Sequence, residues 1–381
     1  MEKVKVLQMP LRNNRGGIAK YILENWRFIN RDKFVFDFIT FEKQIDFKGE
    51  LLAEGCKIHY VSCLPSQDKE RFYTEIHAIL DEGYDAIHLH TSRWTGTQLE
   101  EIAMEHGVSN VIVHSHSTDI SVSPQQTERF NFFSERHENI KREFSSNWKS
   151  YATNLCACSD MAARWLFGDK LADSEVIVLK NAIDVTRFVY NEAVRERYRR
   201  ELDLDDCFVI GHVGRFNPIK NHKFIIRIFS ETAKIIPSAR LLLVGGGRSF
   251  DEINTLAQEY GIGNKTRFLG LRRDVTEIMQ AMDAFVLPSL FEGLGIVAVE
   301  AQTSGLPVFL SDRVPREVDI TGECSFSPLN SGIWVKDLKK TYFDDKNNRV
   351  ELGMKVKGSR FDIDTQVGQL CNYYKELLKN D

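Results

Sequence analysis

Short apolar runs alternate with longer amphipathic stretches along most of the chain. The apolar runs of the first half start at Val4, Phe34, Lys57, Ala86, Val111, Leu155 and Val176, and those of the second half start at Phe208, Arg240, Arg267, Ala284 and Pro307. Short apolar runs separated by segments of helical periodicity predict strands that alternate with helices. This alternation is typical of doubly wound α/β folds, whose parallel sheets bind ligands at the carboxyl ends of the strands.

The alternation predicts two Rossmann-like domains, because single cores rarely grow beyond about 250–300 residues and the chain has 381. The expected N-terminal domain spans residues 1–184 and the expected C-terminal domain spans 185–358. Residues 359–381 carry an apolar stripe at helical spacing, which must be covered. We expect this last helix to pack back on the first domain. Two similar halves that face each other would leave a cleft, and a cleft is the default position for a site.

The composition indicates a soluble globular protein, with 43% hydrophobic residues, 27% charged residues and a net charge of -4. The absence of a basic excess argues against nucleic acid as a partner. The chain has no apolar run near the ~18 residues that a membrane span needs, and its first residues predict a strand instead of a signal peptide. Seven scattered cysteines, with Cys156 and Cys158 inside an apolar run, favour buried free thiols in a reducing cytoplasm.

Residues 119–150 interrupt the alternation with a mixture of basic and aromatic side chains. The mixture consists of Arg129, Arg136, Lys141, Arg142 and Lys149 with Phe130, Phe132, Phe133, Phe144 and Trp148, diluted by Glu128, Glu135, Glu138 and Glu143. Such a surface can lie on an anionic membrane. A mobile loop or an exposed pair of helices explains the same composition, and the sequence leaves both interpretations open.

The stretch from Pro288 to Glu300 reads as the end of a strand, a loop with Gly293 and Gly295, and then a helix. Free N–H groups and the positive end of the helix dipole at such a loop suit a phosphate. Glu292 and Glu300 are eight residues apart, which is roughly 12 Å along a helix. A nucleotide-sugar could meet a carboxylate at each end, with Glu292 near the sugar and Glu300 near the ribose. The alternative is that both carboxylates are solvated helix residues.

Two basic residues, Arg215 and Lys220, follow a predicted strand directly and precede a helix. Together they can supply two positive charges to a diphosphate, although two solvated side chains remain the alternative. After the first strand, Gly16 and Gly17 either make a turn or let the backbone approach a phosphate. His90 and His116 fall at the carboxyl ends of predicted strands.

A series of short motifs occurs in a fixed order in the second half. It comprises Gly214-Arg215, Lys220-Asn221, Leu243-Val244-Gly245, Phe268-Leu269-Gly270, Pro288-Ser289, Phe291-Glu292-Gly293-Leu294-Gly295, Glu300-Ala301 and Gly305-Leu306-Pro307-Val308. This series resembles the second domain of the retaining glycosyltransferases with the GT-B fold, the glycosyl transferases group 1 or glycogen-synthase-like family (family 4). Asn181-Ala182-Ile183-Asp184 resembles the family's crossing between domains, and Gly16-Gly17 and His116 resemble its first-domain landmarks. The resemblance covers essentially the whole chain, and is strongest to bacterial enzymes of capsular and exopolysaccharide assembly.

The resemblance implies a role for each matching residue. It implies that Arg215 and Lys220 stabilise the negative charge of the leaving diphosphate, which removes the need for a metal ion. No D-x-D motif is evident in the sequence. It implies that Glu300 binds the ribose hydroxyls and that Glu292 contacts the donor sugar. His116 would lie beside the reacting carbon and orient a hydroxyl, unless it is only a histidine satisfied at a strand end. The remaining donor-binding positions are Gly16, Gly17, Gly214, Gly245, Val275, Gly293, Leu294 and Gly295, with Val275 near the base.

The leading hypothesis is therefore a retaining transferase that moves a hexose or N-acetylhexosamine from a UDP-sugar, with a GDP-sugar left open, to a hydroxyl of a glycan or lipid-linked glycan. The enzyme would be cytoplasmic and could contact the inner membrane face through residues 119–150. A nucleotide-sugar epimerase or hydrolase, or a non-catalytic subunit of a polysaccharide assembly complex, are the alternatives. One departure from the family pattern is the segment 321–328, which replaces a glycine-rich stretch and puts the base or ribose contacts expected there in doubt.

Overall fold

The structure is a computed structural model that describes residues 3–13, 17–116, 128–344 and 348–379, without the side chains of 128–134. The chain divides into two compact units. Unit 1 consists of Met1–Ala182 and Ile363–Asp381, and unit 2 consists of Ile183–Asp362. The divisions lie two and four residues from the expected 184 and 358, and the C-terminal helix is counted with the first unit.

The strands of unit 1 are β1 (Val4–Met9), β2 (Phe34–Thr40), β3 (Ile58–Tyr60), β4 (Ala86–Thr91), β5 (Asn110–Ser115), β6 (Asn154–Ala157) and β7 (Val176–Val178). Its helices are α1 (Gly17–Phe28), α2 (Lys48–Ala53), α3 (Lys69–Leu80), α4 (Gln98–Glu105), α5 (Glu128–Ser146), α6 (Asp160–Phe167), α7 (Asp169–Ser174) and, from the end of the chain, α16 (Ile363–Leu377).

The strands of unit 2 are β8 (Phe208–Val213), β9 (Ala239–Val244), β10 (Thr266–Gly270), β11 (Ala284–Leu287), β12 (Val308–Ser311) and β13 (Ser325–Ser327). Its helices are α8 (Val185–Phe188), α9 (Glu192–Glu201), α10 (His222–Ile235), α11 (Phe250–Glu259), α12 (Val275–Gln280), α13 (Ile296–Thr303), α14 (Ser331–Phe343) and α15 (Arg349–Met354).

The two sheets arrange their first six strands in the same order, unit 1 adds a seventh strand at one edge, and all pairings among the described strands are parallel. In unit 1 the order is β3-β2-β1-β4-β5-β6-β7, and in unit 2 it is β10-β9-β8-β11-β12-β13. In each unit the second and third strands are added on one side of the first strand, and the fourth strand then pairs with the first strand on its other side. This reversal is the topological switch point at which open α/β sheets bind ligands.

Unit 1 covers one face of its sheet with α1 and α16. The apolar side chains of α1, including Ile22 and Trp26, share a core with Leu370, Tyr373 and Tyr374 of α16. The stripe that the sequence required to be covered is therefore buried against this face, which orders the C-terminal segment on unit 1.

Unit 2 buries both faces of its sheet. One core packs around Leu242 and Phe285 with α8 and α13, and the other around Leu241 and Val286 with α10 and α14. β13 lies where no strand was expected, at the edge of the sheet beside β12. Its sequence offers a single apolar residue, Phe326, so periodicity gave no signal for it.

Candidate functional site

The switch point of unit 2 lies between β8 and β11, which pair directly at the centre of the sheet. The segment after β8 contains Gly214, Arg215 and the 3₁₀ turn Pro218–Lys220. The segment after β11 leads through Glu292 to α13. The fold thus brings together the two segments in which the sequence predicted phosphate-binding and carboxylate residues.

Lys220 and Glu292 form an ion pair across this switch point. The Lys220 Nζ atom lies 2.5 Å from Oε1 of Glu292, and the two side chains are only 19% and 11% exposed. The same carboxylate oxygen accepts a 2.6 Å hydrogen bond from the Ser289 hydroxyl. Partial burial strengthens this pair relative to a surface salt bridge. For Lys220, the alternative that the sequence left open, a solvated side chain, is therefore wrong.

Backbone contacts hold the two segments against each other. The Leu290 N–H donates to the Ile219 carbonyl at 2.8 Å, and the Asn221 side chain donates to the Pro288 carbonyl at 3.1 Å. The Asn217 carboxamide oxygen caps the turn by accepting from the Lys220 N–H at 3.0 Å. Asn221 has a φ of 55°, a left-handed conformation that asparagine tolerates well. The position of Lys220 is thus fixed by both segments.

Arg215 is exposed and forms no ion pair with any residue that the structure describes. Its neighbour Gly214 donates its N–H to the Val244 carbonyl at 2.9 Å, which ties the segment after β8 to the end of β9. A guanidinium without a counter-ion at a strand end can approach an anionic ligand without breaking an existing ion pair.

The glycine turn after β9 packs tightly against the segment that carries Arg215. Gly245 has a φ of +140°, and a Cβ atom there would lie 2.0 Å from the Gly214 carbonyl oxygen. Phe216 donates its N–H to the Gly246 carbonyl at 2.9 Å, so the two segments run side by side. A side chain at Gly245 would force them apart, which explains glycine at this position.

The helix α13 begins beside the ion pair. Gly295 precedes its first residue with a φ of +82°, a conformation that favours glycine. Leu294 is 6% exposed and packs in the core, so only its backbone can face a ligand. The N–H groups of Ile296 and Val297, the first two residues of the helix, have no partner within it, whereas Ala298 donates its N–H to the Gly295 carbonyl at 2.8 Å. With Gly293, which is half-buried, these positions form an anion-binding geometry.

The two carboxylates of the Glu-x7-Glu pattern are not solvated helix residues, so that alternative is wrong. Glu292 is mostly buried, and Glu300 is only 5% exposed. The predicted spacing along a helix is also wrong, because α13 starts at Ile296 and leaves Glu292 in the preceding loop. Periodicity could not mark the start of a helix that has mostly apolar residues and no side-chain cap.

Val275, the residue expected near the base, is the first residue of α12 and packs partly against the core of unit 2.

The candidate site also contains two residues to which the sequence gave no role. Ser289, fully buried, holds the Glu292 carboxylate. Leu271 is 86% exposed directly after β10 and lies against the glycine turn, since a Cβ atom on Gly246 would meet it at 3.2 Å. Only its position after Gly270 could have indicated it.

In unit 1, His116 follows β5 and is hydrogen-bonded to His90. The His116 Nε2 atom lies 2.8 Å from the Nδ1 atom of His90, and the His116 N–H donates to the Thr91 carbonyl at 2.9 Å. Burial lowers the pKa of His116 to about 3, so the ring is neutral at pH 7. Gly17 is exposed at the start of α1 and a Cβ atom there would meet nothing within 4 Å. Gly16 lies outside the described residues.

The described histidines of unit 1 include one group that could hold a metal ion, namely His88, His90 and His114, whose candidate ligand atoms lie within 4.8 Å of one another. Both ring nitrogens of His88 and His90 already take part in hydrogen bonds to protein groups. An ion would have to replace several of these bonds, so the geometry is that of a hydrogen-bonded network.

The structure corrects part of the expected membrane surface. Phe144 is fully buried against Trp94, so it does not face outward to a membrane, and Trp148 packs partly against the same core. Arg136 and Arg142 are exposed on α5. Residues 119–127 and the side chains of 128–134, including Arg129, Phe130, Phe132 and Phe133, lie outside the description. Among the described helices, none is both long and apolar enough to cross a bilayer.

Known proteins resemble this chain in sequence and in fold. The model of the family described as glycosyl transferases group 1 matches residues 194–349. EpsF of Bacillus subtilis (strain 168), which carries a provisional glycosyltransferase name, is 30% identical over 99% of this chain and 98% of its own. The UDP-Gal:alpha-D-GlcNAc-diphosphoundecaprenol alpha-1,3-galactosyltransferase of Escherichia coli is 24% identical over 99% of this chain and 98% of its own.

Among solved structures, HepE of Anabaena in complex with UDP-glucose superposes with a TM-score of 0.76 at 19% identity, covering 98% of this chain and 99% of its own. A likeness at this level of identity shows the fold. The predicted fold class, two Rossmann-like domains with parallel sheets as in GT-B proteins, is confirmed.

Proposed function

The chain belongs to the glycosyl transferases group 1 family and is a glycosyltransferase; we propose that it moves a hexose or N-acetylhexosamine from a UDP-sugar to a hydroxyl of a lipid-linked glycan, with retention of anomeric configuration. The observation that carries the proposal is the partly buried Lys220–Glu292 pair at the switch point of unit 2, beside the start of α13. Unit 2 would bind the donor and unit 1 the acceptor.

The charges at the switch point fit a sugar diphosphate. Arg215 and Lys220 would neutralise the two phosphates, while the N–H groups at the start of α13 donate hydrogen bonds to the remaining phosphate oxygens. Charge that develops on the departing diphosphate would be stabilised most strongly, and this lowers the barrier for breaking the bond between the anomeric carbon and the diphosphate oxygen. We propose that these cationic groups do the work of a metal ion, so the reaction needs none.

The Lys220–Glu292 pair would contact both parts of the donor, with Lys220 at the leaving diphosphate and Glu292 at the sugar. Glu292 is oriented by both Lys220 and Ser289, and a carboxylate held in this way accepts hydrogen bonds from sugar hydroxyls in a fixed geometry. Lys220 has three donors, so it can contact Glu292 and a phosphate oxygen together. Glu300, buried on α13, would hold the ribose hydroxyls. The position of Leu271 beside the glycine turn suits contact with the base.

The donor and acceptor classes are supported by what similar proteins bind. HepE of Anabaena was solved with UDP and with UDP-glucose, and the galactosyltransferase of Escherichia coli is named for UDP-Gal and a GlcNAc-diphosphoundecaprenol acceptor. We infer a UDP-sugar and a polyprenyl-diphosphate-linked acceptor for this chain. The reaction would then take place in the cytoplasm at the inner membrane face, in cell-surface polysaccharide synthesis.

Transfer can be tested with purified protein, a panel of UDP- and GDP-sugars, and a synthetic lipid-diphosphate-linked N-acetylhexosamine. We expect release of UDP only when the acceptor is present, and a product whose new linkage has the donor's anomeric configuration by NMR. Release of UDP at the same rate without acceptor would indicate a hydrolase, and an inverted linkage would refute retention.

A further inference from the structure

Five polar side chains form a buried layer on one face of the unit 1 sheet, beneath α1 and α16. These are Gln8 of β1, His88 and His90 of β4, His114 of β5 and His116 directly after β5. We call them the histidine layer. Strand register explains their meeting, because Gln8 lies opposite His88, and His90 lies opposite His114. Successive residues of one strand alternate between faces, so all five share one face.

The carboxamide of Gln8 connects two branches of this layer. Its Oε1 atom lies 2.8 Å from His90 Nε2, and His90 Nδ1 lies 2.8 Å from His116 Nε2. Its Nε2 atom lies 3.1 Å from the Tyr374 hydroxyl, which lies 2.7 Å from His88 Nδ1. His116, the one layer residue that is not fully buried, therefore stands at the end of a chain of hydrogen bonds.

The direction of each hydrogen bond in the His116 branch follows from the groups present. The Gln8 Oε1 atom can only accept, so His90 Nε2 carries a proton and donates it. A neutral imidazole has one N–H, which leaves His90 Nδ1 as an acceptor. His116 Nε2 must then be the donor, and His116 Nδ1 keeps a lone pair.

The assignment requires neutral rings, and the surroundings provide for this. Burial lowers the pKa of His90 well below its ordinary value, and burial likewise lowers that of His116 to about 3. From the helices, the phenol rings of Tyr21 of α1 and Tyr374 of α16 pack against the layer. The Gln366 carboxamide of α16 donates to the Tyr21 hydroxyl at 3.4 Å. Among these there is no carboxylate that could stabilise an imidazolium.

We propose that Gln8 and His90 are positioning residues that hold His116 in the tautomer protonated on Nε2, so that its Nδ1 lone pair accepts a hydrogen bond from a sugar hydroxyl. His116 Nδ1 is a buried atom and has no hydrogen-bond partner among the described residues. Only the sugar hydroxyl rests on the proposed function; the tautomer rests on the layer itself. Tyr374 adds a link to the C-terminal helix, because it holds the other end of the Gln8 carboxamide.

The tautomer can be read from ¹⁵N-histidine-labelled protein at pH 7.5 by the long-range correlations of each ring nitrogen. His116→Gln assigns the signals. We expect His116 in the wild-type protein to be neutral and protonated on Nε2. A proton on Nδ1, or an imidazolium, would overturn the proposal. A metal content near one ion per chain, measured on the same sample, would also overturn it, because the ring nitrogens would then be ligands.

Gln8→Met removes both hydrogen bonds of the carboxamide while keeping an unbranched side chain. We expect the His116 signals to move toward a mixture of tautomers and kcat to fall about tenfold, a loss comparable to one hydrogen bond, with the Kd for UDP changed less than about twofold. Tyr21→Phe is the matched control, because it keeps the ring against His116 and removes a hydroxyl outside this branch. It should change neither quantity.

The outcomes separate the two proposals. An unchanged His116 tautomer in folded Gln8→Met protein, or a kcat equal to that of the wild type, would contradict the positioning role. If Gln8→Met does not fold, the wild-type spectrum still decides the tautomer. If the wild-type protein shows the expected tautomer but binds no nucleotide, the proposed function fails and the description of the histidine layer stands.

Discussion

The ammonium of Lys220 and the carboxylate of Glu292 meet at 2.5 Å, although 72 residues separate them in the sequence. They lie in the segments that follow β8 and β11, and these two strands are neighbours because the sheet reverses its order there. Each side chain is the other's counter-ion in a partly buried position, so a change to one alters the charge balance of the other.

Lys220→Ala should reduce kcat by at least about 100-fold, because a cation that stabilises a developing charge acts chiefly in the transition state. It also leaves the mostly buried Glu292 carboxylate without its cation, at a cost of about 1–3 kcal/mol in unfolding free energy. Steady-state kinetics and urea denaturation measure the two effects. The double variant Lys220→Ala/Glu292→Gln should regain stability but not activity. Activity restored by the second change would show that Lys220 serves only to neutralise Glu292.

Arg215→Ala should lower turnover without lowering stability, because this side chain is exposed and pairs with no described residue. We expect kcat/KM to fall by about 10–100-fold, as for the loss of one charged hydrogen-bond donor to a phosphate, with the melting temperature unchanged. Arg197→Ala, on an exposed part of α9 with a weak contact to Glu201 at 3.9 Å, is the matched control. Equal activities of the two variants would remove Arg215 from the donor site.

Gly245→Ala should destabilise unit 2 far more than Gly261→Ala. Both glycines have positive φ angles, but a Cβ atom on Gly245 would lie 2.0 Å from the Gly214 carbonyl oxygen, whereas one on Gly261 meets nothing within 4 Å. The difference in unfolding free energy should exceed about 2 kcal/mol, since strain in the backbone adds to the steric overlap. Equal losses in chemical denaturation would mean that the turn after β9 does not approach the Arg215 segment so closely.

Unit 1 should lose stability as the pH falls from 7 toward 5. Burial lowers the pKa of His88 to about 3, so below about pH 6.5 the unfolded chain binds a proton that the folded chain does not. Stability therefore rises with pH between these values, and His88 alone accounts for about 2 kcal/mol between pH 5 and 7. The other buried histidines of the layer add to this in the same direction.

Tryptophan fluorescence can follow this loss, because four of the five tryptophans, Trp26, Trp94, Trp148 and Trp165, lie in unit 1. Urea midpoints at pH 5, 6 and 7 give the slope. A midpoint that does not change with pH would contradict the neutral, buried histidine layer. Trp334 of unit 2 can be replaced by Phe to make the signal specific to unit 1.

The fold was predictable because both sheets are built from short apolar strands with helices between them. β1, for example, was expected at the residues at which it lies, whereas β13 escaped because a three-residue edge strand with two serines carries no periodic signal. Register between strands was not predictable either. For this reason His90 and His116 were seen only as strand ends, and the contribution of Gln8 and Tyr374 was not seen at all.

The candidate site was predictable in its parts and not in its contacts. Spacing relative to strand ends indicated Arg215, Lys220, Glu292 and Glu300, but not that Lys220 and Glu292 would pair or that Glu300 would be buried. Those facts depend on which strands become neighbours and where α13 begins. Phe144 is a further example: its composition-based assignment to a possible membrane surface is wrong, because packing buries it in the core.

We propose above all that the segments after β8 and β11 bind a nucleotide-sugar diphosphate without a metal ion. A thermal-shift titration of the wild-type protein with UDP, GDP, ADP and their common sugars, with Mg²⁺ or with EDTA, tests it most directly. A ligand that binds the folded state at 100 times its Kd adds about 2.7 kcal/mol of stability. We predict a shift with UDP and a UDP-sugar that persists in EDTA and is diminished in Arg215→Ala. No shift with any nucleotide, or a shift that EDTA abolishes, would contradict the claim.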